Sequence, residues 1–220
     1  MRKVNYLLSG LLVVFMSLMI ILLSSNLVLR MSATYVYHFN DSEVMYEVPY
    51  NVTGNEMAKE ITSYFRSFSS KPFQVYEDNR IFKDPIMEKE DQEVMKKAKK
   101  ILNIELAAGL LSAAVFFGIY FYLFRMNYKK ALRNRYRAGI VLTLVLIICH
   151  GVFVAIKSCR KFLYAEFIGM KLSKYSIVGT MLGDPFFKTY IMFATLVAIV
   201  FLAVMTYVHY TITKPERIFY

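Results

Sequence analysis

His38, His150 and His209 are the only imidazoles in the chain's 220 residues. Proton transfer near neutral pH therefore falls to one of them or to a well-placed carboxylate. The candidates for such a role are His38, His150, Glu105 and Glu166. Glu105 lies about one turn inside an apolar run, where a lipid-facing carboxylate costs a few kcal/mol, roughly 3. It is read either as an interfacial residue paired with Lys100 or a later lysine, or as a carboxylate that orients a substrate. His150 lies within another apolar run, and an imidazole there is a functional candidate. A neighbouring carbonyl or hydroxyl would account for it equally well. No second His, Asp or Cys stands at ligand spacing, so no metal is expected. No phosphate-binding glycine loop, serine elbow or thiol pair points to a cofactor. Cys149 and Cys159, on a continuous helix, would lie roughly 15 Å apart, too far for a disulfide.

The elements that must hold these residues are set by hydropathy. With 57% hydrophobic residues, the chain contains four apolar windows: Tyr6–Leu29, Ile101–Phe124, Ala138–Ile156 and Tyr190–Tyr210. Each is near the roughly 20 residues that span about 30 Å of hydrocarbon. Four such helices exclude an ordinary soluble domain. The first run is longer than a signal-peptide core, and Met31-Ser32-Ala33 is a weak cleavage site, so it is expected to remain as an anchor.

Orientation follows from Arg125–Arg137, which carries six cations and no acid between two apolar runs. Lys and Arg beside a span resist translocation, so this loop is expected inside the cell. Both termini then lie inside, and residues 31–100 and 157–189 lie outside. The net charge of +11 gathers at membrane edges, which suits phospholipid headgroups rather than nucleic acid.

Residues 31–100 hold ten Lys/Arg and twelve Asp/Glu, and are expected to form a small extracytoplasmic α+β domain. Ser32–Tyr37 and Val44–Val48 alternate as strands do. Residues 73–82 read as a hairpin turning at Glu77-Asp78-Asn79. Met57, Ile61, Tyr64, Phe65 and Phe68 recur at helical spacing, a stripe that suits core packing or a lipid tail. Two glycosylation-type triplets, at Asn40 and Asn51, are too short a pattern to carry weight. Asp84-Pro85 predicts a helix start running straight into the second span, with Lys96, Lys97, Lys99 and Lys100 at headgroup level. The fold expected is thus an α-helical membrane protein of four transmembrane helices with an α+β domain between the first two.

The second outer segment breaks the positive-inside pattern: six cations stand against Glu166 and Asp184. Lys157, Arg160, Lys161, Lys171 and Lys174 are expected to contact anionic headgroups. Interleaved apolar residues, Phe162 to Leu172, suggest an interfacial helix or a re-entrant piece rather than an exposed loop.

This layout resembles the bacterial lipoprotein intramolecular transacylases, with local similarity at Tyr35–Tyr64, Asp84–Leu102 and Glu166–Phe187. The resemblance implies an enzyme that moves an acyl chain from the glycerol of a lipid-modified cysteine to its amino group. The family pattern of an acid, then His-Met, then Asp-Val matches Asp91 through Ala98. Met95 is kept, but Val94 stands where the family has His, and Lys97 where it has Asp. The family's second His falls at Ile168. Neither Val nor Ile can transfer a proton, and acyl transfer to an amine needs a base.

Three readings follow. The chain is a non-catalytic lipid- or lipoprotein-binding accessory protein, or a partner for another membrane subunit. It is a divergent acyltransferase acting at the outer leaflet. Or it is an unrelated four-span sensor or structural subunit.

Overall fold

The computed structural model describes residues 2–42, 44–48, 51–78, 83–162 and 176–214. Four helices are long and apolar enough to cross a membrane: α1 (Arg2–Leu29), α4 (Lys89–Arg125), α5 (Lys129–Ala155) and α8 (Asp184–Ile212). The shorter elements are α2 (Ser32–Asp41), a 3-10 turn (Val44–Glu47), α3 (Gly54–Arg66), β1 (Tyr76–Asp78), β2 (Lys83–Pro85), α6 (Lys157–Phe162) and α7 (Ile177–Met181). The chain divides into two compact units. The first comprises Met1–Ser25, Glu105–His150 and Ala194–Tyr220; the second comprises Asn26–Ile104 and Gly151–Phe193.

In the first unit all four long helices feed one core, including Leu12, Met16 and Ile20 of α1, Phe116 and Leu123 of α4, Leu132 and Ile147 of α5, and Ala198 and Leu202 of α8. Small residues bring the backbones close. A Cβ on Gly139 would meet the Met16 sulfur at 2.8 Å, and one on Gly109 would meet Leu23 Cδ2 at 2.7 Å. Across the α1–α5 contact, the Ser17 and Thr143 hydroxyls lie 2.9 Å apart. The basic stretch expected as a loop is mostly helix. Only Met126–Tyr128 separates α4 from α5, and Lys129 through Arg137 fill the first turns of α5. The turn is possible because Asn127 takes φ 58°, while Tyr128 N donates to Leu123 O at 3.1 Å. That is the left-handed cap that ends many helices.

The second unit corrects the expected α+β domain. Ser32–Tyr37 belongs to α2, where burial of Thr34, Tyr35, His38 and Phe39 at helical spacing overrides the alternation, and Val44–Glu47 forms the 3-10 turn with Val48 just beyond it. Among the described residues, the strands amount to one ladder of three antiparallel pairs, Tyr76↔Pro85 to Asp78↔Lys83, too little to form a sheet layer. Glu77 and Asp78 lie in that ladder rather than in the turn. Asp84-Pro85 pairs there as well, so α4 starts later, at Lys89. The α3 stripe forms core: Met57 and Ile61 are fully buried and Phe65 nearly so, while Phe68 beyond the helix is exposed. Thr53 starts α3 with a capping box, exchanging hydrogen bonds with Glu56. The Thr53 N–H and hydroxyl hold the Glu56 carboxyl below the usual carboxylate range.

Candidate functional site

Asp91 occupies the first turn of α4 and is 1% exposed. Its Oδ1 accepts from Ser176 Oγ at 2.6 Å and from the Val178 N–H at 3.2 Å. Ser176 in turn accepts from the Gly179 N–H at 2.9 Å, capping α7. At the other end of α7, His38 Nε2 lies 2.8 Å from the Met181 carbonyl oxygen. A carbonyl only accepts, so Nε2 carries the proton. One short helix is thus held by a carboxyl at its start and an imidazole at its end. Around His38 pack Phe39 and Phe186, and Phe186 also stacks on Tyr35 at 5.4 Å.

Val94, which the sequence resemblance sets against a family histidine, is 2% exposed and follows Asp91 by nearly one helical turn, on the same face. The arrangement around α7 offers hydrogen-bonded anchors rather than an exposed acid–base pair. Lys99 also turns inward, contrary to a headgroup position: its ammonium donates to Ser67 Oγ and the Ser69 carbonyl at 3.0 and 2.8 Å and covers the Tyr64 ring at 4.2 Å. Lys96, Lys97 and Lys100 remain exposed.

Burial pushes the His38 imidazole below the ordinary histidine range, against smaller upward pulls from the Met181 carbonyl and Asp41. The unfolded chain therefore binds a proton more readily than the folded one in the window below about pH 6.5. Stability contributed by neutral His38 is present above that pH and is lost as pH falls toward the depressed folded value. Thermal melts from pH 7.5 to 5 should show a declining Tm, and His38→Gln should flatten the decline. An unchanged slope would mean that another group carries it.

The other expected residues fall in different places. Glu105 and His150 are half-buried on α4 and α5 of the first unit, whereas His38 belongs to the second. Glu166, Ile168, Lys171 and Lys174 lie outside the described residues. Lys157 and Lys161 are exposed on α6. Arg160 is engaged by the protein: its Nε donates to Asp184 at 3.1 Å and its Nη1 to the Val154 and Ala155 carbonyls at 2.9 and 2.8 Å. Asp91 was not among the candidates, because in sequence it is one of several acids at a helix start. Its only distinguishing signal was the resemblance, in which it takes the place of the family's acid. Both cysteines are free thiols. Among the described residues, no cluster of His, Cys, Asp or Glu could hold a metal ion.

The first unit has a polar group of its own. Tyr120 OH lies 2.9 Å from His209 Nδ1, and the Tyr136 ring stacks on His209 at 3.8 Å. Arg133 donates to the Thr213 carbonyl nearby.

No protein-family model matches the chain, and no curated protein does. Solved structures do match. The lipoprotein intramolecular transacylase Lit from Bacillus cereus, in a variant with a histidine replaced by arginine, aligns with a TM-score of 0.74 at 14% identity, covering 97% of this chain and 93% of that one. A second structure of the same protein gives 0.69 at 14% identity, covering 94% and 96%. A variant with a histidine replaced by alanine gives 0.65 at 14% identity, covering 97% and 93%. The chain is a multi-pass membrane protein that shares the fold of the lipoprotein intramolecular transacylase structures at 14% sequence identity.

Proposed function

We propose that the protein is a cell-envelope membrane protein that binds the acylated end of lipoproteins, or phospholipid, without transferring an acyl chain. The observation that carries this reading is at position 94. An aliphatic side chain, almost fully buried, stands where the resembling family has an imidazole, and the neighbouring Asp91 holds α7. An amine attacking an ester must lose a proton, and neither residue is placed to take it from a substrate at the surface. In this reading both termini are cytoplasmic, residues 31–100 and 157–189 face outward, and Lys157, Lys161, Lys171 and Lys174 meet anionic headgroups, with Arg160 supporting them.

The fold likeness over nearly the whole chain also favours a second reading, a divergent transacylase using His38, His150 or Glu105 as base. One assay separates the two. Purified protein in proteoliposomes should capture a diacylated lipopeptide yet leave its amino group free, as read by tandem mass spectrometry. Appearance of the N-acylated product, at a rate above protein-free liposomes, would establish the enzyme instead.

A further inference from the structure

Within the first unit, α1, α5 and α8 enclose a small cleft of about 220 Å³ including its open mouth. Its polar lining is Ser24, Ser25, His150 and Thr195, set among Ile21 and Ala198. Its enclosed depth admits one group the size of a water molecule. Ser24 is 1% exposed, and its hydroxyl has no hydrogen-bond partner among the described residues. Hydroxyls in membrane helices ordinarily bond back to a carbonyl one turn earlier. Ser17, Ser112 and Thr143 do so, to Val13, Ala108 and Gly139. Ser24 does not, and a buried hydroxyl left unmatched is destabilising. Such an atom lining a cleft marks a place for an incoming oxygen.

The position selects the kind of oxygen. Ser24 lies about 8 Å inside the end of α1 at Leu29, and His150 lies about 8 Å inside the end of α5 at Ala155. The 24-residue apolar part of α1 is about 36 Å long against roughly 30 Å of hydrocarbon. With that excess shared equally between its two ends, the cleft lies about 5 Å inside the hydrocarbon edge, just below the ester groups that border it and within reach of a carbonyl drawn inward. Ile148, Leu196 and Ile199, beside the lining residues, are 65, 58 and 50% exposed, a surface suited to acyl chains. We propose that this cleft binds an ester carbonyl of a diacyl glycerolipid, which accepts a hydrogen bond from Ser24 Oγ. This names a chemical group for the lipid contact proposed above and rests on that contact, though not on the absence of acyl transfer.

The test uses the full chain in nanodiscs with two phospholipids of identical headgroup and chain length, one ester-linked and one ether-linked. Competition against a spin-labelled lipid should show the ester form binding about five-fold more tightly, the effect of one net hydrogen bond. Ser24→Ala should erase that preference. An independent reading is the infrared ester stretch of isotopically labelled bound lipid, which should shift down in wild type and not in Ser24→Ala. Equal affinity for the two lipids, as expected if water fills the cleft, would overturn the proposal. So would an ester preference that survives Ser24→Ala. Either failure leaves the lipopeptide capture and transfer assay untouched, so the two readings fall separately.

Discussion

Asp91→Ala should lower unfolding stability by about 3 kcal/mol, a loss on the scale of truncating a buried core side chain. The carboxyl oxygen accepts from a side-chain hydroxyl at 2.6 Å and a backbone N–H at 3.2 Å, all in a buried setting. Its removal leaves both donors without water or protein to accept them. Ser176 would keep its bond from Gly179, but the link from α7 to α4 would be gone. Asp91→Asn retains an acceptor oxygen and should lose only about 1 kcal/mol. Thermal melts in one detergent measure both. Equal losses would mean that charge rather than hydrogen bonding holds the helix. No loss from alanine would mean that α7 is fixed elsewhere, for instance by His38 at its other end.

That latch explains what the sequence could and could not reveal. The four spans were legible because each is an uninterrupted apolar run, and a bilayer imposes a length that few other contexts require. The run of acids and lysines entering the second span was legible as continuous helix for a similar reason. Outside the spans, periodicity found α3 through its stripe of Met57, Ile61 and Phe65 but misled nearer the first span. Ser32–Tyr37 alternates like a strand, yet Tyr35, His38 and Phe39 share a buried helical face, and a short segment fits both periods. The hairpin was found with its turn misplaced, since Glu77 and Asp78 entered the ladder.

The site was less legible than the spans. His150 and Glu105 stood out because ionisable groups are rare in apolar runs, and the fold places them in a different unit from His38. Asp91 looked ordinary because its partners, Ser176 and Val178, come from more than 80 residues away in the chain. Ser24 carries no signal of its own in the sequence, where it is one of six Ser, Gly or Asn residues in Tyr6–Leu29. Only three-dimensional packing separates it from Ser17, which has three neighbours to bond. Polar groups announce themselves in sequence by their surroundings in the chain, but satisfaction is a property of the fold.

Val94→His puts the proposed function under the strongest strain. The substitution restores the residue type that the resembling family carries, on the same face of α4 as Asp91. A surface position would accept it without harm. Val94 is 2% exposed, so the imidazole must replace a smaller aliphatic group in a packed core and bring two ring nitrogens with it. Overpacking costs about 1–3 kcal/mol, and an unmatched buried polar group costs about as much again. The variant should therefore lose roughly 2–6 kcal/mol of stability at pH 8. It should lose more at pH 5.5, because the unfolded histidine takes a proton that a buried ring resists. It should also show no acyl transfer to a lipopeptide amine, since a base enclosed in the core cannot reach a substrate. Melts at the two pH values and the mass-spectrometric transfer assay read the two consequences separately. A variant as stable as wild type that gains transfer would mean that position 94 opens onto a substrate site, and that the chain is an acyltransferase lacking only its base.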